Sequence, residues 1–400
     1  MNSTDDARLR IKQPDLSTLN QRLYFMDNLR ALAMMAGVVF HASLAHSIML
    51  QHIWPSANAE RSTIVDVLAW FPHIFRMPVF FLIAGFFAAL IVNKRGTGGL
   101  LKNRALRILL PLVIFLPLCM WAVIASLMHA AGTVEHKSAV LGMVAYAMAN
   151  PGLPSPPPTT MHLWFLYNLV FFYILTWACY FFDGSLIRNF FMQLKPLIFV
   201  AVFSLLLFPA LISQGAPFPA PDSFLPQLWS FGFFGVFFMM GYWIYSEPGF
   251  IDKFQPHWRL LLTLSIVLYA VFYWFIPKEV SLVPAPVVMW KKVTITACES
   301  IISVAMTLVC LLLGKTYLNS RNRLMRILSD SSYWIYLIHV PLLFVIQYQL
   351  MDKSWNLMTK LGVALGMTLA IGLASYVVLV RWTPIGWMLN GKRKKTDISG

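Results

Sequence analysis

The chain is poor in charged residues. Only 12% of its 400 residues are Asp, Glu, Lys or Arg, about half of the roughly 25% that soluble domains carry. Together with 58% hydrophobic residues and a mean hydropathy of +0.67, this shortage excludes an ordinary soluble protein. Acidic residues are scarcer than basic ones, 16 against 31, so the net charge is +15. The basic residues lie between apolar runs, so membrane topology explains this charge better than a nucleic-acid partner, and we expect no nucleic acid.

Cysteine is scarce as well. All four cysteines fall inside apolar runs, and none has the spacing of metal ligands. They are interpreted as small core residues. The sequence also has no Walker loop and no dinucleotide-binding glycine motif. We therefore expect no bound metal and no nucleotide-binding loop of these kinds.

Long apolar runs are abundant, and about 20 helical residues suffice to cross a bilayer. We predict an all-α polytopic membrane protein, a bundle of about ten transmembrane helices that also has the lipid bilayer as a partner. The predicted spans are 28–50, 69–92, 106–130, 162–182, 196–213, 228–246, 259–277, 293–314, 331–350 and 360–382. A shorter apolar segment, 139–150, is predicted to be re-entrant or interfacial. The first span is interpreted as a retained helix, because no clear signal-peptide cleavage site follows it.

The basic residues predict the orientation. With ten spans, the connections on the side of the N-terminus hold roughly three times as many lysines and arginines as the opposite ones. This asymmetry predicts that both termini are cytoplasmic. The chain then divides into an N-terminal tail (1–26), a transmembrane domain (27–382) and a basic C-terminal tail (383–400).

Ionisable residues recur along one face of the first predicted span. Arg30 and His41 are three helical turns apart, so Asp27, Arg30, Met34, Gly37 and His41 share roughly one face of a helix. Ionisable groups within a span usually face the protein interior and mark a site. We therefore predict that this face lines a functional cavity.

Further ionisable residues are predicted at the depth of His41. Span two has His73 and Arg76 in its outer half, and span eight has Glu299 at a similar depth. A charge near the bilayer centre costs about 2.5–3.5 kcal/mol. These groups are therefore expected to compensate one another in a polar cavity. An Arg76–Glu299 ion pair that only holds helices together is the alternative interpretation.

Two arginines lie at the inner end of span three. Arg104 and Arg107 are one helical turn apart and directly precede Pro111. Such a pair presents two guanidinium groups to one region, which suits phosphate or pyrophosphate. The alternative is that the two arginines only reflect the usual enrichment of basic residues on the cytoplasmic side of a membrane protein. Arg30 and Asp27 lie at the same membrane face.

Polar aromatic residues occur in two further places. A proline-rich connection, 131–161, leads into His162 and Trp164, and it is either an interfacial anchor or a lip that guides a substrate. Ser332, Tyr336 and His339 share a face of span nine. His339 is either a structural hydrogen-bond donor or a site residue.

Taken together, these pieces resemble acyltransferase family 3, a family of membrane O-acyltransferases. The resemblance covers about residues 24–382 and rests on five segments in family order: 27–30 leading to His41, 80–86, Arg104 and Arg107 before Pro111, 162–166, and 333–339. Segment 73–78 is most similar to the branch that succinylates periplasmic glucans. Ala31 and Ala84 depart from the glycine and serine usual in the family.

The resemblance implies an acyltransferase for groups other than aminoacyl groups, in the bacterial inner membrane. Its donor would be cytoplasmic acyl-CoA, with succinyl-CoA favoured, and its acceptor a hydroxyl of a periplasmic glucan or another envelope glycan. No tightly bound cofactor is implied. Arg30, Arg104 and Arg107 are expected to hold the coenzyme phosphates.

The resemblance also implies roles for the deeper residues. His41 is expected to be the general base on the acceptor hydroxyl, with a transient acyl-histidine as a lesser variant. Arg76 is expected to stabilise the oxyanion or to hold a succinyl carboxylate, and Glu299 to orient Arg76 or His41. The expected substrate-binding residues are His73, His162, Trp164, Tyr336 and His339.

Two other classes of protein stay open at this point. A proton-coupled secondary transporter or flippase of an envelope glycan would also use ionisable residues at mid-membrane. Against it stand the charge skew towards an inner-surface phosphate site and the lack of paired, glycine-interrupted halves. In a signalling or scaffold protein the same residues would be purely structural.

Overall fold

The computed structural model describes residues 16–391 except 155, 248, 281–286 and 321, with side chains from Tyr24 onward. Of the predicted tails, residues 1–15 and 392–400 lie outside the described residues. Across the described ranges the structure is helical, and the β pairing found there is an isolated bridge between Thr159 and Ser223. The prediction of an all-α fold is confirmed.

Fourteen α-helices occur in this part of the chain. They are α1 (Leu16–Ser43), α2 (Thr63–Arg104), α3 (Leu110–Thr133), α4 (Ala139–Ala149), α5 (Trp164–Ala178), α6 (Ser185–Gln193), α7 (Pro196–Ile212), α8 (Leu228–Ser230), α9 (Val236–Ser246), α10 (Trp258–Phe275), α11 (Met289–Tyr317), α12 (Arg323–Met351), α13 (Leu357–Ser375) and α14 (Pro384–Asn390). Three π-helical turns join or extend them: Ala105–Leu109, Phe231–Gly235 and Tyr376–Val380.

Eight segments of the described chain are long and apolar enough to cross a membrane. One of them, Thr63–Thr133, has 71 residues, far more than the roughly 20 that a crossing needs. It is interrupted at Gly96, whose φ of 69° and ψ of 177° leave the helical region. The predicted span 196–213 is α7, which has 17 residues. The protein is therefore a multi-pass membrane protein, while the number of about ten spans stays a prediction.

The helices do not end where the predicted spans end. Helix α1 begins at Leu16, inside the predicted tail 1–26, and α14 lies inside the predicted tail 383–400. Hydropathy marks where a chain enters the bilayer, whereas backbone hydrogen bonding continues a helix beyond it. The short segment 139–150 is helix α4, which packs on α3 and buries Leu141.

The connections gather at two ends of the bundle. One end carries Arg30, Arg95, Arg104 and Arg107 and is here named the basic end. There the Asn28 side chain donates to the carbonyl of Leu318, 2.8 Å away. At the opposite end, here named the loop end, the backbone of Thr160 donates to the carbonyl of Asp222 over 2.6 Å. The loop end comprises residues 44–62, 134–138, 150–154, 156–163, 213–227 and 352–356. The cytoplasmic location of the basic end stays a prediction.

The centre of the bundle is formed by α2, α9 and α11. Helices α2 and α9 approach so closely that a Cβ atom at Gly85 would overlap the carbonyl of Phe238. The reverse holds at Gly241, where a Cβ would overlap the carbonyl of Leu82. Small residues allow such backbone contact between membrane helices. This packing gives the glycine of segment 80–86 a structural reason.

Three prolines in or at the start of helices leave a backbone carbonyl free, because proline has no N–H for the carbonyl four residues earlier. Within a bilayer such a carbonyl must find another donor. Each of the three accepts a side-chain hydrogen bond from a distant segment: Ile74 (before Pro78) from Ser303 at 3.1 Å, Arg107 (before Pro111) from Tyr333 at 2.7 Å, and Leu337 (before Pro341) from His162 at 3.1 Å. The prolines therefore create fixed cross-links between segments.

Candidate functional site

Three histidines meet inside the bundle. They come from different elements: His41 from the end of α1, His162 from the turn before α5, and His339 from the middle of α12. The ring centroids of His41 and His339 are 5.2 Å apart, and those of His339 and His162 are also 5.2 Å apart. We name these three residues the histidine cluster. Two predicted substrate-binding residues, His162 and His339, thus lie beside the predicted base.

Backbone carbonyls orient two of the three rings. His339 Nδ1 lies 2.7 Å from the carbonyl oxygen of Tyr336, and His162 Nε2 lies 3.1 Å from that of Leu337. Since a carbonyl oxygen only accepts, each of these nitrogens carries the proton. The Tyr336 hydroxyl donates back to the carbonyl of His162 over 2.7 Å. Tyr336, predicted to bind substrate, therefore braces the turn that carries His162.

Arg76 lies beside the cluster and is 7% exposed. Its Cζ is 4.7 Å from the centroid of the Phe40 ring, and its Nη1 donates weakly to the carbonyl of Ala36 at 3.4 Å. A Cβ at Gly37 would lie 3.4 Å from Nη1, so the glycine gives the guanidinium its room. Among the described side chains no carboxylate forms an ion pair with Arg76. Its charge is available to an anionic ligand.

The Arg76–Glu299 ion pair, the alternative interpretation of the sequence, is not among the ion pairs of the described residues. The Glu299 carboxylate, 1% exposed, accepts from the backbone N–H of Phe218 at 3.0 Å. Phe218 belongs to the connection 213–227, which descends from the loop end into the bundle, and its ring stacks on His73 with centroids 4.9 Å apart. Sequence could not reveal this, because nothing in residues 213–227 marks them as entering the core. In this structure Glu299 therefore anchors the connection 213–227 to α11 through this hydrogen bond.

His73 and Trp164 lie outside the histidine cluster. The His73 ring is stacked between Phe40, at 4.6 Å, and Phe218, and it also interacts electrostatically with Arg76. The Trp164 ring packs on Phe234, with centroids 5.2 Å apart. Trp164 is therefore part of the aromatic core beside α9.

Four arginines lie together at the basic end. Arg107 interacts electrostatically with Arg104, Arg95 and Arg30, and we name these four the arginine group. Arg30 also forms an ion pair with Asp27 at 3.2 Å. The predicted trio Arg30, Arg104 and Arg107 is thus brought together by the fold. Sequence reasoning missed Arg95, and its position directly before the break at Gly96 is the signal that could have found it.

Tyrosines connect the arginine group to the histidine cluster. Arg104 Cζ lies 4.7 Å from the centroid of the Tyr173 ring. Tyr173 and Arg104 both interact electrostatically with Tyr333, and Tyr333 in turn with Tyr336. Tyr336 reaches His339, at 6.0 Å between ring centroids. Polar side chains therefore lie in the interior between the two groups: the Tyr333 hydroxyl donates to the Arg107 carbonyl and the Tyr336 hydroxyl to the His162 carbonyl. The roles of Tyr173 and Tyr333 were not predicted.

The fold and these groups define a multi-pass membrane protein with buried polar side chains between an arginine group at one end and a histidine cluster farther inside. Residues 23–379 match the family model described as the acyltransferase domain of acyltransferase family 3. The chain belongs to this family.

Curated relatives carry a more specific name. Proteins named glucans biosynthesis protein C, from Escherichia coli strains SMS-3-5 / SECEC, K12 and O1:K1 / APEC, are each 32% identical to the chain over 159 residues. The matched region is 40% of this chain and 38% of each relative. It thus spans less than two fifths of their length. No solved structure matches the chain.

The hydrogen bond from Phe218 to Glu299 leads to a test of Glu299. In Glu299→Gln the amide oxygen can still accept from the Phe218 N–H. In Glu299→Ala this buried N–H has no acceptor, which costs about 1–3 kcal/mol. We expect the Ala variant to unfold at a clearly lower temperature in detergent than the Gln variant, and the Gln variant to keep acyl transfer.

The matched control is the same pair of substitutions at the exposed Glu135, which should leave the unfolding temperature unchanged. A folded but inactive Glu299→Gln variant would contradict the structural role and restore the catalytic one expected from the sequence.

Proposed function

We propose that the protein moves an acyl group from cytoplasmic acyl-CoA to a hydroxyl of a periplasmic glucan or another envelope glycan, in the bacterial inner membrane. The observation that carries this proposal is the set of buried polar side chains between the arginine group and the histidine cluster. A site with anion-binding groups at one end and a base farther inside suits a long donor that is anchored by its phosphates. The name of these relatives, glucans biosynthesis protein C, supports a glucan as the acceptor.

The donor would bind at the basic end. Guanidinium groups bind phosphate through paired, charge-assisted hydrogen bonds. Arg104 and Arg107 are half-buried and hold no acidic partner among the described ion pairs, so both can bind coenzyme phosphates. Arg30 is 41% exposed and would assist. The pantetheine arm would then follow Tyr173 and Tyr333 towards His41.

The reaction would take place at His41. A lone pair of the imidazole takes the proton of the acceptor hydroxyl while the hydroxyl oxygen forms a bond to the thioester carbonyl carbon. The carbon–sulfur bond then breaks, and the imidazolium returns the proton to the coenzyme thiolate. A positioned general base typically contributes about 10²–10⁴ in rate.

Arg76 supports succinyl as the acyl group. It is a buried guanidinium beside the histidine cluster and has no ion-pair partner among the described residues. A buried charge without a partner is costly, and the distal carboxylate of a succinyl group would supply one. The same guanidinium could otherwise stabilise the oxyanion of the tetrahedral intermediate.

The central test uses purified protein, succinyl-CoA labelled in the acyl group, and a glucan acceptor. We expect label to reach the glucan with the wild type and to fall by about 10²–10⁴ with His41→Ala, because the base is lost. Mass spectrometry of the glucan measures the transfer. Proton-coupled uptake of glycan into liposomes without acyl-CoA, in the absence of any transfer, would overturn the proposal in favour of a transporter.

The donor site has its own test. Arg104→Ala should raise the KM for acyl-CoA roughly 10-fold or more, since a hydrogen bond to a charged group contributes about 1.5–3 kcal/mol. The KM for the glucan should stay unchanged in steady-state assays. Lys102→Ala, which removes an exposed charge near the same end, is the matched control and should change neither constant. Equal effects of Arg104→Ala on both substrates would contradict the assignment.

Acyl selectivity tests Arg76. Arg76→Gln should lower kcat/KM for succinyl-CoA by roughly 10- to 100-fold relative to acetyl-CoA, because the charged hydrogen bond to the distal carboxylate is lost. Competition between the two labelled donors measures this ratio directly. A parallel loss with both donors would instead assign Arg76 to the oxyanion.

A further inference from the structure

Three ring nitrogens in the histidine cluster are buried without a partner. His41 Nδ1, His162 Nδ1 and His339 Nε2 have no hydrogen bond to any described residue. The rings of His41 and His339 are neighbours, with centroids 5.2 Å apart and planes at 61°. A buried polar atom normally has a hydrogen-bond partner, and an unpaired one costs free energy. A hydrogen bond between His41 Nδ1 and His339 Nε2 would satisfy two of the three atoms at once.

The direction of that hydrogen bond follows from the backbone. His339 Nδ1 donates to the Tyr336 carbonyl at 2.7 Å, so in the neutral ring Nε2 has the lone pair and can only accept. The proton between the two rings must therefore come from His41 Nδ1. His162 cannot be the donor, because its own proton is on Nε2, which donates to the Leu337 carbonyl, so its Nδ1 also only accepts. The described ring contacts of His41 are with Phe40, Trp54 and His339, so His339 is the acceptor beside it.

This direction determines which nitrogen of His41 can act as a base. With the proton on Nδ1, the lone pair of the neutral ring is on Nε2. The His41 ring is half-buried although its Nδ1 is enclosed. The lone pair is therefore on the side of the ring that is not closed off by protein.

We propose that His339 is a positioning residue: it accepts a hydrogen bond from His41 Nδ1 and so keeps the Nε2 lone pair of His41 directed at the acceptor hydroxyl. The catalytic consequence rests on the proposed function. A neutral imidazole thus performs the orienting part that a carboxylate performs in a Ser-His-Asp triad. His339 would then act through His41, whereas the sequence analysis expected it to bind the substrate.

The charges around His41 explain why a neutral orienting residue suits this place. The titratable groups that interact with His41 are His339, Arg76, His162 and His73. None of these four is acidic. A carboxylate in place of His339 would pair with the nearby Arg76 guanidinium and would compete with an anionic acyl group for it. An imidazole orients His41 and leaves Arg76 available.

Two substitutions separate the two nitrogens of His339. The amide of Asn reaches the position of Nδ1, so His339→Asn keeps a donor for the Tyr336 carbonyl but has no acceptor at the position of Nε2. Gln is longer, so His339→Gln places an amide oxygen near Nε2 and can accept from His41. We expect kcat for acyl transfer to fall about 10- to 100-fold in the Asn variant, within the range that a general base supplies. The Gln variant should recover most of this loss, and the KM of both substrates should stay unchanged in both variants.

The control is His129→Asn, the same substitution at an exposed histidine of α3, which should behave as the wild type. Unfolding temperatures in detergent check that all variants are folded. Equal kcat values in the Asn and Gln variants, whether both normal or both low, would overturn the proposal. So would a rise in KM as large as the fall in kcat, because it would indicate substrate binding.

A second measurement does not depend on catalysis. Diethyl pyrocarbonate attaches a carbethoxy group to the lone-pair nitrogen of a neutral imidazole and releases carbon dioxide and ethanol. Without an acceptor at His339, the His41 proton is no longer held on Nδ1, and the lone pair is shared with the enclosed nitrogen. Mass spectrometry should therefore find slower modification of His41 in His339→Asn than in the wild type, with recovery in His339→Gln. Equal modification rates in the three proteins would overturn the positioning role of His339. A wild type that transfers no acyl group would refute only the proposed function, because the modification rates do not depend on acyl transfer.

Discussion

The structure depends on how a membrane bundle satisfies the backbone carbonyls that proline leaves free. Pro341 removes the donor for the Leu337 carbonyl, and His162 and Cys119 both donate to that oxygen, at 3.1 and 3.2 Å. Since the bilayer interior offers no water, these side chains cannot move away without leaving the carbonyl unpaired. A helix defect thereby becomes a fixed contact between α12 and two other segments. The protonation pattern of the histidine cluster follows from this contact.

The arginine group and the histidine cluster lie at different depths in the bundle. The arginine group lies at the basic end, where phosphates can reach it from water, while the histidine cluster lies deeper and is surrounded by aromatic rings. Tyrosines suit the intermediate region, because an apolar ring with a hydroxyl group can line a path without adding charge. In the proposed reaction the donor would span this distance with its pantetheine arm. Arg76 would then be the single cation at the reacting end among the residues described there.

The candidate site was only partly predictable. Residues on one helix were predicted well, because helical periodicity sets which side chains share a face: Gly37 lies against Arg76, and His41 lies against His339. Partners across the bundle were predicted poorly. Depth in the membrane suggested that Arg76 faces Glu299, yet two residues at one depth can lie on opposite sides of a helix. Instead, the Glu299 carboxylate accepts a hydrogen bond from the Phe218 N–H, and no sequence pattern in residues 213–227 predicts this contact.

By itself, the sequence determined that the protein is an all-α multi-pass membrane protein and which face of α1 carries ionisable groups, since these follow from composition and from periods of a few residues. Only the tertiary structure decided which ring nitrogens carry protons and which arginines lie together. It also decided which connection enters the core. These features depend on contacts such as His162 with Leu337, 175 residues apart, and Glu299 with Phe218, 81 residues apart. Such contacts are set by the packing of whole helices, and no short window of sequence contains them.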